Sequence, residues 1–192
     1  MHLGIDFGAR MAGTTAVCYQ HERALLVLHS NKRQDADLLC KQIIEEIKPN
    51  FVMIDAPLSL PAVYCSNPVS SKIDNPDYFF RLADRQIRAM SPMFLGGLTA
   101  RAMQLAAFFR PHNIPFYETW PSLVRHYFGG DERPDFQTLD HQLRTITGLS
   151  LDPGSKLNEH GTDSVLAWFA GWLKINGKST VYGNETEGLI WC

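Results

Sequence analysis

The chain has no apolar run approaching the roughly 20 residues that a bilayer-spanning helix requires, so no membrane anchor is expected in it. Its opening, Met1-His2-Leu3-Gly4-Ile5-Asp6, has neither the basic start nor the apolar centre of a secretory leader and reads directly as a strand. Cysteine is scarce: Cys18, Cys40, Cys65 and Cys192 are scattered with no C-x-x-C spacing. That pattern suits neither a zinc site nor a disulfide framework, and the expected compartment is a reducing one, the cytoplasm. Positive charge is not in excess. The net charge is -2 and the pI about 6.4, so no global basic field draws the protein onto nucleic acid, and any such contact needs a local patch. No G-x-S-x-G elbow frames Ser59, Ser66, Ser70 or Ser71, which argues against a serine hydrolase. Internal repeats and low-complexity blocks are absent as well.

What remains is the composition of an ordinary globular protein, 45% hydrophobic and 20% charged over 192 residues, long enough to bury a core. The hydrophobic pattern predicts three short strands joined by tight turns over residues 3–7, 14–19 and 24–29. The period then changes. Leu38, Leu39, Gln42, Ile43 and Ile47 share one helical face over residues 35–48, and Pro49-Asn50 stops that helix. Phe51 to Ile54 is apolar without alternation, as suits a strand buried on both faces and reached by a parallel crossover. Residues 58–76, rich in Pro, Ser and Asn, read as a functional loop or flap. Helices are expected over 78–90, 98–110, 121–127, 136–147 and 159–173, with a strand over 114–117, and the glycine-rich tail is expected to dock as a short strand or cover a face. Three antiparallel strands, a crossover helix and a parallel strand form the ribonuclease H-like order. The expectation is therefore one α/β domain over residues 1–192, with a five-stranded mixed sheet, helices on both faces and an insertion at about 58–112.

Three apolar runs end in an acid: Gly4-Ile5-Asp6, Met53-Ile54-Asp55 and Phe116-Tyr117-Glu118. In an open α/β sheet ligands collect at the carboxyl ends of parallel strands. Asp163 opens the last helix, whose small residues Ala167, Ala170 and Gly171 would let it approach the sheet and carry Asp163 to the same rim. Carboxylates so crowded repel unless a cation intervenes. One or two Mg2+ or Mn2+ ions suit oxygen ligands and in-line phosphoryl displacement. Asp6, Asp55, Glu118 and Asp163 are thus candidate metal ligands and catalytic residues of a nuclease, with nucleic acid as partner. His160 and Glu159 are possible accessories. Each acid also has a structural reading, as a turn-former bonding its own backbone or as a helix-terminal charge.

Arg81, Arg85 and Arg88 with Arg101 form the concentrated basic feature and are candidates to receive a phosphate backbone. The alternative is a solvated face with Asp84 and Arg88 paired at i,i+4. Gly8 to Thr15, with Thr14 among its hydroxyls, resembles the first phosphate loop of the actin and sugar-kinase superfamily. That resemblance supports a second reading, a nucleotide- or phosphate-binding domain without hydrolysis. A non-catalytic interaction module is the third.

Taken in order, several motifs resemble one family along nearly the whole chain: Gly4-Ile5-Asp6-Phe7-Gly8, Ile54-Asp55-Ala56-Pro57-Leu58, Arg81-Leu82-Ala83-Asp84-Arg85-Gln86-Ile87-Arg88, Leu98-Thr99-Ala100-Arg101-Ala102-Met103, Tyr117-Glu118-Thr119-Trp120-Pro121-Ser122, Glu159-His160-Gly161-Thr162-Asp163-Ser164 and Glu187-Gly188-Leu189-Ile190-Trp191. They are similar to domain-of-unknown-function family 429, predicted nucleases with a ribonuclease H fold. The resemblance implies metal-dependent nuclease chemistry at Asp6, Asp55, Glu118 and Asp163. The chain departs from the family pattern at Gly161, Thr162 and Ser164, where a more compact acid-His-Asp-Ala run is expected.

Overall fold

The computed structural model of the protein describes residues 1–65, 77–130 and 132–192. Strands β1 (His2–Asp6), β2 (Ala16–His21) and β3 (Ala24–His29) form an antiparallel meander in which Ile5 faces Val17 and Cys18 faces Val27. Asp35 then caps helix α1 (Ala36–Ile47), its carboxylate accepting from the backbone N–H groups of Asp37 and Leu38. Lys48, in the left-handed conformation, ends the helix. The chain returns as β4 (Phe51–Asp55), parallel to β1 and in register with it from His2 opposite Phe51 to Asp6 opposite Asp55.

Helices α2 (Leu82–Ile87), α3 (Pro92–Leu95) and α4 (Gly97–Phe109) follow. α2 is shorter than the periodicity over 78–90 predicts. The Asp77 carboxylate accepts the N–H groups of Phe79 and Phe80 and holds a turn there, and Arg88, at φ 58, closes the helix. The flap read over 58–76 falls largely outside the described residues, which include its start and a single 3₁₀ turn at Ala62–Tyr64. β5 (Phe116–Thr119) pairs parallel with β4. Helix α5 (Pro121–Val124) runs into a 3₁₀ turn, Arg125–Phe128, and α6 (Phe136–Thr147) and α7 (Glu159–Ile175) complete the helices.

The described sheet has eight strands in the order β6-β3-β2-β1-β4-β5-β8-β7. Its middle five are the expected ribonuclease H-like core, so the fold class holds while the strand count is corrected from five to eight. β6 (Ser150–Leu151) adds to β3, and its two residues are too few to show a period. β7 (Val181–Asn184) and β8 (Gly188–Trp191) are a hairpin made from the glycine-rich tail, with Ile190 opposite Glu118 of β5.

One apolar layer joins α1 and α4 to the sheet through Ile43, Ile44, Leu105 and Phe109 against Leu3, Ile5, Val52 and Ile54. The other face is covered by α7, whose Val165, Trp168 and Phe169 are buried with Cys18, Leu25 and Met53. The spacing between α7 and β1 is set by glycine. A Cβ at Gly4 would lie 2.1 Å from the Trp168 backbone nitrogen and 2.4 Å from the Ser164 carbonyl oxygen. At Gly171 a Cβ would meet the His2 ring at 2.4 Å. His2 is in turn sandwiched between Phe51 and Trp168 and bonds the Trp168 carbonyl at 2.8 Å. This close seat carries the first turns of α7 to the carboxyl ends of β1 and β4. Asn158 fixes where the helix begins by accepting from Gly161 N–H at 2.9 Å.

Candidate functional site

A cleft of about 310 Å3 opens at the carboxyl ends of β1, β4 and β5. Asp6, Asp55, Glu118 and Asp163 all line it, together with Arg125, Arg133 and an apolar group that includes Ala89, Met90, Leu95 and Leu98. The strand order that the acids required is present, with β1, β4 and β5 adjacent and parallel.

The four carboxylates have different partners. Asp6, 14% exposed, meets His160 Nδ1 at 2.7 Å through Oδ2. Neither Asp6 nor Asp55 accepts a local backbone N–H, so the turn-forming reading fails for both. Asp55 is half-buried, and no described residue donates a hydrogen bond to its carboxylate. Burial drives the Asp55 carboxyl well above the usual range; Asp6, Asp163 and Glu118 push it further, and Arg125 opposes them. Asp6 is pushed up to about 8, by burial first and then by Asp163, with Arg133 pulling the other way. Asp6 therefore holds its proton at neutral pH unless positive charge joins it, and burial and the same crowding act on Asp55 in the same direction.

Glu118 is corrected as a free metal ligand. Its Oε1 accepts from Arg81 Nη2 at 2.6 Å, and its Oε2 accepts from Arg81 Nη1 at 2.7 Å and from Leu58 N–H at 3.0 Å. Burial pushes the Glu118 carboxyl up, and these partners draw it back only in part. Arg81 is corrected as a phosphate receptor for the same reason. It is 1% exposed and also grips Asp84 at 2.6 and 3.1 Å and Ser59 Oγ at 2.9 Å. Burial works against its charge, but Glu118 and Asp84 outweigh it and hold Arg81 above its ordinary range. The expected Asp84–Arg88 pair does not form, because Asp84 is spent on Arg81. The Glu187 carboxylate ties the same region to the terminal hairpin by accepting Ala62 N–H and Leu82 N–H, each at 2.9 Å.

The other basic candidates also lie apart from the acids. Arg101 is bound to Asp37 and donates to the Gly8 carbonyl at 3.0 Å. Arg85 is paired with Asp77 and stacked 4.3 Å from the Phe80 ring centroid, and Arg88 is exposed. Thr14 Oγ1 accepts Ala9 N–H at 3.1 Å and Thr15 Oγ1 accepts Gly8 N–H at 3.0 Å. The turn thus satisfies two of its own backbone donors through Thr14 and Thr15.

Asp163 is 7% exposed and faces Arg133 at 2.7 Å and Arg125 at 3.2 Å. Glu159 is 61% exposed, 3.6 Å from both Arg133 and His160. Sequence reasoning missed Arg125 and Arg133. The signal was positional: Arg125 ends the short helix that leaves the Glu118 strand, and such βα connections border the carboxyl edge of the sheet.

As they stand, no three His, Cys, Asp or Glu side chains among the described residues are grouped to hold a metal ion. Glu118 is drawn to Arg81 and Asp163 to its two arginines. The donor set nevertheless fits a hard cation. The Asp55 carboxylate has no donor among the described residues, Asp6 lies beside it in register, Asp163 completes an all-oxygen set, and the crowding that raises Asp6 and Asp55 is what a divalent charge would relieve.

No helix among the described residues is long and apolar enough to cross a membrane. No protein-family model matches the chain, and no curated protein matches it. Among solved structures it is similar to Thermus thermophilus RuvC, at 13% identity over 95% of this chain and 98% of that one, with a TM-score of 0.48. It is also similar to T. thermophilus RuvC in complex with a Holliday junction substrate, at 14% identity over 95% and 97% of the two chains, with a TM-score of 0.49.

Proposed function

We propose that the protein is a divalent-metal-dependent phosphodiester hydrolase acting on nucleic acid, with one or two Mg2+ or Mn2+ ions held by Asp6, Asp55 and Asp163. The observation that carries this reading is Asp55: a carboxylate with no hydrogen-bond donor among the described residues, at the end of a buried strand, in register with Asp6. Such an ion would supply Lewis-acid polarisation of the phosphoryl group and neutralise the crowded charge. His160 orients Asp6 across the 2.7 Å between them. Arg81 locks Glu118 and, through it, the Leu58 backbone, so Glu118 shapes the wall of the cleft rather than binding the ion. Membership of domain-of-unknown-function family 429 and a cytoplasmic location belong to the same proposal; the free cysteines agree with the latter.

Purified protein with Mg2+ or Mn2+ is expected to cleave at least one member of a panel of single-stranded, duplex and branched DNA and RNA. Asp55→Asn is expected to lose that cleavage. An untouched panel at every metal tested refutes the proposal.

A further inference from the structure

The cleft contains two guanidinium groups to which the hydrolase reading gives no task. Arg133 holds Asp163 through Nε, at 3.2 and 3.3 Å, and through Nη2, at 2.7 Å, and its side chain remains 43% exposed. Arg125 reaches the same carboxylate by Nη2 alone, at 3.2 Å. Its Nε is buried and has no acceptor among the described residues. Buried donors are almost always paired, so Asp163 leaves part of the hydrogen-bonding capacity of Arg125 unused in a residue that lines the cleft. Arg81 and Arg101 differ, because their donors are spent on Glu118, Asp84, Asp37 and the Gly8 carbonyl.

Another part of the cleft lining carries no charge. Ala89 and Met90, from the link between α2 and α3, and Leu95 and Leu98, from α3 and α4, line the same space, and Met90 is 58% exposed. A ligand suited to both parts has an oxyanion for the guanidinium forks and a flat apolar group for the aliphatic wall. A nucleotide unit has both, since forked guanidinium donors match phosphate oxygens and every base has an apolar face. In a duplex that face is covered by its stacked neighbours.

We infer that Arg125 and Arg133 form the phosphate-binding subsite of this cleft. The wall of Ala89, Met90, Leu95 and Leu98 receives a nucleobase, so the substrate is a polynucleotide with at least one unpaired base. This rests on the hydrolase reading and adds a substrate class to it.

Fluorescence anisotropy with an end-labelled single-stranded oligonucleotide, in EDTA and in Ca2+, tests the inference. Arg133→Gln and Arg125→Gln are each expected to weaken binding about tenfold or more, as removal of a charge-assisted hydrogen bond implies. Each should also lower the slope of log affinity against log salt by about 0.7 for every phosphate that the variant leaves unneutralised. The matching duplex is expected to bind at least tenfold more weakly than the single strand, and an abasic strand to lose most of that advantage. Should Arg125→Gln melt abnormally, Arg133→Gln decides alone, because its side chain is partly exposed and its loss leaves no cavity. Unchanged affinity and slope in a normally melting Arg133→Gln overturns the phosphate subsite, and equal binding of duplex and single strand overturns the base-binding wall. If those results occur while the wild type still binds and cleaves nucleic acid, the hydrolase reading survives. If the wild type binds no nucleic acid under either condition, both fail together.

Discussion

Asp6→Asn in the metal-free protein separates the crowding of the acids from any chemistry they perform. Asp6 is pushed up to about 8 in the folded chain, whereas the ordinary value of 3.8 applies once the chain unfolds. The folded state thus holds this proton more tightly than the unfolded state. The associated stability is complete below pH 3.8 and is lost as pH rises through about 8. Within that window each pH unit costs the fold about 1.4 kcal/mol, and by pH 7 the accumulated loss is about 4 kcal/mol. Asparagine carries no charge, and its carbonyl oxygen can still accept from His160. Some of the relief is offset because Asp55 takes up charge that Asp6 no longer competes for, which leaves an expected gain of about 2–4 kcal/mol near pH 8. For a chain of this size that is an increase of roughly 5–12 °C in Tm. Circular-dichroism melts of both proteins in EDTA from pH 4 to 9 read the effect directly. The curves should nearly coincide at pH 4 and separate progressively above it, with the variant the more stable. Added Mn2+ should raise the wild type and narrow the gap. Coincident melting at every pH, or a variant less stable than the wild type at pH 8, would refute the crowding argument.

Three further outcomes follow from the same geometry. Arg81→Ala strands two buried carboxylates and should cost about 3–5 kcal/mol in urea unfolding, and adding Glu118→Gln should recover part of that loss. His2, lowered to about 4 chiefly by burial, is held neutral in the fold, so the stability it contributes is present above pH 6.5 and is lost as pH falls through about 4. The drop in Tm between those limits should flatten in His2→Gln, and identical acid profiles for the two proteins would contradict it. Gly4→Ala places a methyl group 2.1 Å from the Trp168 backbone nitrogen. It should cost more than about 3 kcal/mol, read as a lower urea midpoint, because two backbones would have to part.

The acidic tips of β1 and β4 were legible because each apolar run stops at its acid, and a strand buried on both faces leaves that acid at the sheet edge. The approach of α7 was legible as well, since Ala167, Ala170 and Gly171 announce a close seat. Gly4, which makes that seat possible from the strand side, shows its role only when the helix is in place. The fate of Glu118 was not legible. Its partner, Arg81, lies 37 positions away in sequence in a segment that looks like an exposed basic helix, and burial alone turns that residue from a surface charge into a core ion pair. Residue type likewise marked Thr14 as a phosphate ligand, whereas its Oγ1 accepts a backbone N–H of its own turn. The tail was read only as a short strand or a cover, and its second strand, β7, was not legible because its glycines dilute any period-2 pattern; Arg125 and Arg133 were missed because single arginines carry no spacing signal.

Calorimetric titration of the protein with Mn2+ at pH 7 tests the shared carboxylate site most directly. The account predicts saturable binding of one or two ions with release of at least one proton, because Asp6 must give up its own. It also predicts that Asp55→Asn loses that binding while keeping its fold. Absence of binding to the wild type, or an unchanged isotherm for Asp55→Asn, would contradict it.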